Sequence, residues 1–158
     1  MRNLVLVLLA ATSTGVMAAE ATAVAYPEGY RNWHHVKSMV INPGHPLHAA
    51  FGGIHHIYAN GKAVEGYRKG RFPDGAVIVF DLLEAKSEDH AVTEGARKVA
   101  GVMTKNARAY PATGGWGFEG FKGDSKTERA VGKNATQACY GCHAPQKDRD
   151  YVFSALRP

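Results

Sequence analysis

Cysteine is scarce in this chain: the only two, Cys139 and Cys142, both lie near the C-terminal end. No second CxxC pair exists that would complete a four-cysteine metal site. Apolar runs are short as well, and none reaches the roughly 18 residues that a membrane-spanning helix needs. Lysines and arginines nowhere cluster with interleaved aromatic residues, so the net charge of +5 is typical of solvated surface. We therefore expect neither membrane insertion nor a nucleic-acid partner.

The N-terminal residues, MRNLVLVLLAATSTGVMAAEA, have the pattern of a secretory signal peptide. Arg2 precedes an apolar run from Leu4 to Ala11, and the small residues that follow permit cleavage between positions 18 and 21. We assign residues 1–18 to the signal peptide and residues 19–158 to one cofactor-binding domain. A mature chain of roughly 140 residues is long enough for one hydrophobic core and too short for two comfortable ones.

Both cysteines lie in the segment TQACYGCHAPQKDRDYVF, residues 136–153, and His143 follows the second one directly. In an exported protein, CxxCH is the pattern for covalent attachment of a c-type haem. On a helical turn the two cysteines point the same way, so both sulfurs can bond one porphyrin while the histidine reaches the iron. We therefore predict one covalently attached haem c, held by Cys139, Cys142 and His143, with His143 as the metal ligand.

Two other interpretations of the cysteine pair are weaker. A redox-active CxxC normally opens a helix with a βαβ unit still to follow, and little chain remains after His143. A structural zinc site needs two further ligands, and the remaining candidates are paired histidines at 34–35 and 55–56, without an HxxxH pattern. Haem attachment is the favoured interpretation.

The tail after His143 contains neither methionine nor histidine, so any second iron ligand must come from upstream. Met39 and Met103 both lie in segments of mixed polarity, where methionine is usually a flexible core filler. The histidine pair at 55–56 is a better candidate for this second ligand than His45 or His48, which lie in a loop-like segment. A histidine in a strand is, however, more often a structural residue. We therefore predict a five-coordinate iron that is open on one side.

The rest of the mature chain favours an α+β fold, mainly antiparallel β-sheet with a few short helices and the haem motif on a C-terminal helix. Long apolar stripes of helical period are absent, which disfavours a four-helix bundle. The predicted strands are 36–41, 54–59, 76–85, 96–106 and 114–123. By composition, residues 96–106 are also compatible with a helix, but Gly101 and the alternation of Val99 and Met103 with polar neighbours favour a strand. A turn at Asn60-Gly61, a short helix at 63–70 and a charged loop at 87–95 connect them, and Asn134 or Thr136 is expected to cap the C-terminal helix.

Four segments occur in a characteristic order: YPEGYRNWHHV, GIHHIYAN, GRFPDGAVIVFDLLEA and CYGCHAPQKDRDYVF. Together they span nearly the whole mature chain, and in this order the chain resembles the cytochrome P-460 family and, within it, the cytochrome c′-β branch. The resemblance implies a homodimeric, antiparallel-sheet haem protein of the periplasm. It also implies that His143 is the sole axial ligand from the protein.

Phe80 marks a departure from part of that family. Members that oxidise hydroxylamine carry, at this position, a lysine that is cross-linked to the porphyrin, and phenylalanine has no amine with which to form that bond. The resemblance therefore argues against hydroxylamine oxidation and for the c′-β branch, in which two phenylalanines cap the distal face. The matching positions are Phe51 and Phe80, while His55 stands where the family has an arginine. On the proximal side, Lys147 and Arg149 are candidates to hydrogen-bond a haem propionate or the proximal ligand.

Three functions are compatible with this pattern. An open iron beneath aromatic rings admits small, weakly polar ligands, which favours a mono-haem cytochrome that binds nitric oxide, and also carbon monoxide, for scavenging, transport or sensing. The first alternative is an electron-transfer cytochrome with a redox partner protein. The second is an enzyme, either a weak peroxidase or a nitrogen-oxide oxidoreductase, for which His55, His56 or Glu119 would supply the distal acid–base group.

Overall fold

The computed structural model describes residues 23–157, so the predicted signal peptide lies outside the described residues. Five strands form one antiparallel sheet, in which each strand pairs with the next along the chain. They are β1 (His34–Ile41), β2 (Gly53–Ala59), β3 (Val77–Glu88), β4 (Ala91–Lys105) and β5 (Trp116–Lys122). The predicted fold class, an antiparallel sheet with a few short helices, is confirmed.

The hairpin of β3 and β4 is longer than the sequence pattern predicted. The expected charged loop at 87–95 is wrong, because β3 continues to Glu88 and β4 begins at Ala91. Only Asp89 and His90 turn the chain, with φ values of 49° and 62°. A turn made of two consecutive residues with positive φ matches the right-handed twist of the flanking strands. The backbone hydrogen bonds between β3 and β4 can therefore continue up to the turn, although the residues there are mostly polar. The outer half of this hairpin is an exposed ribbon whose side chains face water.

Two short α-helices flank β2: α1 (His48–Phe51) and α2 (Gly61–Lys69). The turn predicted at Asn60-Gly61 is instead the start of α2, because the Asn60 side chain caps that helix. Its Oδ1 accepts hydrogen bonds from the N–H of Ala63 at 2.9 Å and of Val77 at 3.1 Å. Its Nδ2 donates to the carbonyl of Gly75 at 2.9 Å. One side chain thus joins the end of β2, the start of α2 and the start of β3.

One face of the sheet, called the site face below, carries the larger core. In the antiparallel register Ile57 lies opposite Phe80, and Ile78 lies opposite Met103. Met103 in turn lies opposite Phe118 on β5, so these side chains share one face. The buried cluster on this face also includes Val36, Ala59 and Trp116 from the strands. Ala63 from α2, Phe72 and Ala76 from the segment before β3, and Val152 from the C-terminal tail complete it.

The opposite face of the sheet carries a smaller apolar cluster and a buried carboxylate. Asp81 is completely buried and accepts hydrogen bonds from Arg31 at 3.0 Å and from Arg97 at 2.7 Å. A buried charge without such partners would be costly, so the two guanidinium groups are needed for Asp81 to lie there. The arrangement attaches the 3-10 turn that contains Arg31 (Tyr30–Asn32) to β3 and β4.

The cysteine motif lies in a helical segment of changing pitch, residues 132–149, called the motif segment below. It consists of a 3-10 turn (Gly132–Asn134), a π-type turn (Thr136–Tyr140), an α-helical turn (Gly141–His143) and further 3-10 turns (Ala144–Arg149). The prediction that Asn134 or Thr136 caps this helix is wrong, because the residues at the cap positions of the first two turns are Val131 and Ala135, and neither makes a side-chain capping hydrogen bond. No helix within residues 23–157 is long and apolar enough to cross a membrane.

The Asn60 cap generates a stability prediction. Asn60→Ala removes three hydrogen bonds and leaves two backbone N–H groups without their acceptor, so we expect the free energy of unfolding to fall by about 2 kcal/mol. Urea unfolding followed by circular dichroism measures the change. Asn42→Ala, at an exposed position, is the matched control and should change the midpoint little. Equal midpoints for the two variants would contradict the capping role.

Candidate cofactor site

One ring nitrogen of His143 is hydrogen-bonded, and the other is free. Its Nδ1 lies 2.7 Å from the carbonyl oxygen of Tyr151. A carbonyl can only accept, so Nδ1 carries the proton and Nε2 presents its lone pair. Burial lowers the pKa of His143, and the hydrogen bond to Tyr151 opposes this shift without cancelling it. The ring is therefore neutral at neutral pH, which is the form that binds a metal ion.

Aromatic side chains surround the His143 ring. The ring of Phe118, on the site face, lies 5.1 Å away between centroids, and that of Phe153 lies 4.9 Å away. Tyr140 continues this aromatic wall, at 6.3 Å from Phe118 and 5.5 Å from Tyr151. The wall restricts rotation of the imidazole and keeps water away from one side of it.

The two cysteines are both free thiols in the motif segment. Cys139 is half-buried against the core of the site face, and Cys142 is exposed. Burial raises the pKa of the Cys139 thiol. Three residues apart on a helical stretch, the two side chains lie on the same side of the segment. This is the arrangement that two thioether bonds to one porphyrin require.

Phe51 and Phe80, the predicted distal pair, are brought together although 29 positions separate them in the sequence. Their ring centroids lie 5.7 Å apart with an interplanar angle of 82°, an edge-to-face contact. Phe80 projects from β3 onto the site face, and α1 places Phe51 against it. Phe51 remains 39% exposed, so this pair forms an outer cover of the site face.

His55 lies beside that pair. Its ring centroid is 4.6 Å from that of Phe80, and the residue is only 4% exposed. Its Nδ1 is buried and has no hydrogen-bond partner within residues 23–157. Burial, assisted by the nearby His56, lowers the pKa of His55 to about 4. The imidazole is therefore neutral at pH 7, and of the three predicted acid–base candidates it alone contacts the aromatic pair.

His56 points to the other face of the sheet, because side chains alternate along β2. Its Nδ1 lies 2.6 Å from Oγ of Ser38, and its Nε2 lies 2.6 Å from a carboxylate oxygen of Glu94. These partners occupy both ring nitrogens. His56 is thus committed to a surface network and is not beside Phe80.

Glu119, the third candidate, anchors the start of the motif segment. Its Oε1 accepts hydrogen bonds from the backbone N–H groups of Gly120, Val131 and Gly132, at 2.8, 3.1 and 3.0 Å. Its Oε2 accepts from Arg129 at 3.0 Å. Burial alone would raise the pKa of Glu119, but these donors outweigh burial and lower it. Glu119 therefore performs the capping role that the sequence assigned to Asn134 or Thr136.

A position without a side chain lies next to Phe80 on the site face. Gly101 pairs with Phe80 on one side and with Gly120 on the other. The atoms nearest to a Cβ placed at Gly101 all belong to Phe80, at 3.5 to 3.7 Å. A strand glycine of this kind permits a flat group to approach the backbone closely.

Lys147 and Arg149 both lie exposed in the last turns of the motif segment. Arg149 donates a hydrogen bond to the carbonyl of Ser154 at 3.2 Å, which ties the C-terminal tail to the segment. Their role as contacts of a haem propionate stays a prediction.

Sequence reasoning missed the aromatic neighbours of His143. In the segment GGWGFEGFKG, alternate residues of a strand lie on one face, which places Phe118 and Trp116 together. This alternation was a usable signal for Phe118. No sequence signal identifies the carbonyl of Tyr151 as the acceptor for His143, because every residue has a carbonyl.

The donor set fits a c-type haem. A neutral imidazole has its Nε2 free, two free thiols lie on one side of a helical segment, and a strand glycine leaves room beside an aromatic pair. Fold and site together define a haem protein built on an antiparallel sheet. The family model Cytochrome P460 matches residues 27–154, and the chain belongs to that family. This membership implies a c-type haem, with which both cysteines are consistent. No curated protein matches the chain.

The Glu119 anchor generates a pH-dependent prediction. Because the folded-state pKa of Glu119 lies below its unfolded value of about 4.3, its stabilisation is present above that pH and is lost as the pH falls through the folded pKa. Glu119→Gln should lower the free energy of unfolding by about 1–3 kcal/mol at pH 7, and the difference from wild type should shrink below about pH 4. Urea titrations at several pH values measure it.

Glu128→Gln is the matched control for this experiment. Glu128 is exposed and pairs only with Lys122 at the surface, at 2.8 Å, so its replacement should have little effect at any pH. A difference between wild type and Glu119→Gln that does not change with pH would contradict the assignment.

Proposed function

We propose that the protein is a periplasmic mono-haem cytochrome with a five-coordinate iron that binds small gases, chiefly nitric oxide and also carbon monoxide. The observation that carries the proposal is the contact between Phe51 and Phe80 over the site face, at 5.7 Å between ring centroids. An apolar cover of this kind excludes large or charged ligands and offers no ligand to a metal. A c-type haem bound here would supply an iron atom with affinity for diatomic gases.

The placement of the methionines supports an open coordination position. Met103 is 9% exposed and packs within the core cluster, where a thioether fills space. Met39 is 49% exposed on β1. Scavenging, transport and sensing of the gas all require a binding site of this kind.

We also propose that the protein is a homodimer. β1 is an edge strand of the sheet. Four of the exposed large apolar side chains lie on β1, on α1 or next to it: Met39, Val40, Leu47 and Phe51. An apolar patch beside a sheet edge is a favourable contact surface for a second copy. Export to the periplasm is supported by the signal-peptide pattern of the N-terminal residues.

One observation favours a second candidate, a weak peroxidase. His55 is buried beside Phe80, neutral at pH 7, and lacks a partner for its Nδ1 within residues 23–157. A neutral imidazole can accept a proton from a bound peroxide and return it to the leaving oxygen. Hydroxylamine oxidation is disfavoured, because the resemblance places Phe80 where the cross-linking lysine would be.

The absorption spectrum of the purified ferrous protein, with and without nitric oxide, tests the proposed function. We expect a high-spin, five-coordinate spectrum that changes stoichiometrically when the gas is added. A low-spin spectrum with a methionine-to-iron charge-transfer band would instead support simple electron transfer. A red-shifted ferrous band would indicate a cross-linked porphyrin and would refute the assignment to a gas-binding branch.

Phe80→Ala tests the aromatic cover directly. If Phe80 obstructs access to the iron with a steric barrier of about 1.4 kcal/mol, its removal should increase the rate of carbon monoxide binding about tenfold. Flash photolysis or stopped-flow mixing measures this rate. Val92→Ala truncates an exposed apolar residue near the β3–β4 turn and should leave the rate unchanged. An unaltered rate in Phe80→Ala would remove Phe80 from the ligand path.

A further inference from the structure

The chain reverses direction directly after the motif segment, at Asp150 and Tyr151. Both residues are non-glycine and both have positive φ, 51° and 66°. This left-handed conformation costs roughly 1–2 kcal/mol per residue, so the surrounding structure must hold it in place. The reversal is the point at which the carbonyl of Tyr151 is presented to His143.

Asp150 is held by three separate parts of the fold. Its Oδ2 accepts a hydrogen bond from the N–H of Phe72 at 2.9 Å. Its Oδ1 accepts from Nζ of Lys105, at the end of β4, at 2.6 Å. Its carbonyl oxygen accepts from Nε1 of Trp116, at the start of β5, at 2.8 Å. The reversal is therefore attached to the sheet by donors from two strands and from the segment before β3.

Lys105 is itself fixed. Its Nζ also donates to the carbonyl of Gly114 at 2.9 Å and lies 4.9 Å from the centre of the Trp116 ring. The side chains of Lys105 and Asp150 are only 10% and 14% exposed. A buried ion pair gains little net stability, because the cost of desolvating both charges offsets their attraction. What this pair contributes is a defined position for the groups it joins.

Tyr151 is constrained on both sides of its carbonyl. Its N–H donates to the carbonyl of Gln146 at 2.8 Å. Its ring packs so closely on Gly114 that a Cβ at Gly114 would overlap it. The carbonyl shares its peptide plane with the N–H of Val152, which donates to the carbonyl of Arg149 at 3.2 Å. The place of this peptide relative to His143 depends on the reversal, which Asp150 attaches to the sheet.

We infer that Asp150, together with Lys105 and Trp116, is a positioning residue for the axial histidine: it orients the Tyr151 carbonyl that accepts the Nδ1 proton of His143. A strong acceptor at Nδ1 makes Nε2 a better electron donor to iron, which stabilises the ferric state relative to the ferrous state. The inference depends on His143 as the axial ligand and not on which ligand binds on the opposite side.

Three variants of the haem-loaded protein test the inference: Asp150→Asn, Lys105→Met and Trp116→Phe. Each removes a different part of the support for Asp150, and Trp116→Phe does so without changing the charge. We expect each variant to lower the iron–histidine stretching frequency in the resonance Raman spectrum of the ferrous protein. We also expect Trp116→Phe, which leaves the charge unchanged, to raise the reduction potential, measured by spectroelectrochemical titration. Asp148→Asn, an exposed carboxylate two positions away, is the matched control and should change neither quantity.

A purely structural role gives a different result. In that case the three variants would unfold at lower temperature but keep the wild-type frequency and potential, and the inference would be overturned. If Asp150→Asn does not fold, the same decision rests on Lys105→Met and Trp116→Phe, which leave the Asp150 side chain in place. If the wild-type iron proves six-coordinate, the proposed gas-binding function fails, while the shift in potential still tests the positioning role.

Discussion

The hydrogen bond between Nδ1 of His143 and the carbonyl of Tyr151 decides how the rest of the site can work. It selects the tautomer of the imidazole, and so leaves Nε2 as the only nitrogen that can reach a metal. Other groups around His143 serve this geometry. Phe118 and Phe153 limit the rotation of the ring, and the reversal at Asp150 determines where the carbonyl lies.

The two faces of the sheet differ in the polar groups that they bury. Asp81, with its two arginine partners, lies on the face away from Phe80. The site face is mainly apolar, and its buried polar groups include Lys105, which pairs with Asp150, and His55, whose Nδ1 has no partner within residues 23–157. Glu119, on β5, fixes the start of the motif segment, because its carboxylate accepts hydrogen bonds from the N–H groups of Val131 and Gly132. The sheet thereby provides the position of the cysteines as well as their surroundings.

Much of the fold and the chemically distinctive part of the site could be predicted from the sequence. The CxxCH pattern needs no tertiary information, since its residues are adjacent, and β3 carries a run of β-branched residues that few other structures accommodate. The ribbon at 87–95 was mistaken for a loop because its side chains are polar on both faces, and only backbone pairing identifies it as strand. The anchoring roles of Glu119 and Asp150 could not be predicted for another reason: most of their partners are backbone groups and side chains distant in sequence, and such partners leave no local pattern.

The order of the strands also bears on how the chain acquires its structure. Every pairing in the sheet joins strands that are neighbours in sequence, so no strand has to wait for a distant segment before it can pair. The cysteines come after the last strand, and no strand pairing depends on them. The five strands can therefore pair through local contacts before the C-terminal thiols form their bonds. The motif segment then packs on a sheet that has already formed.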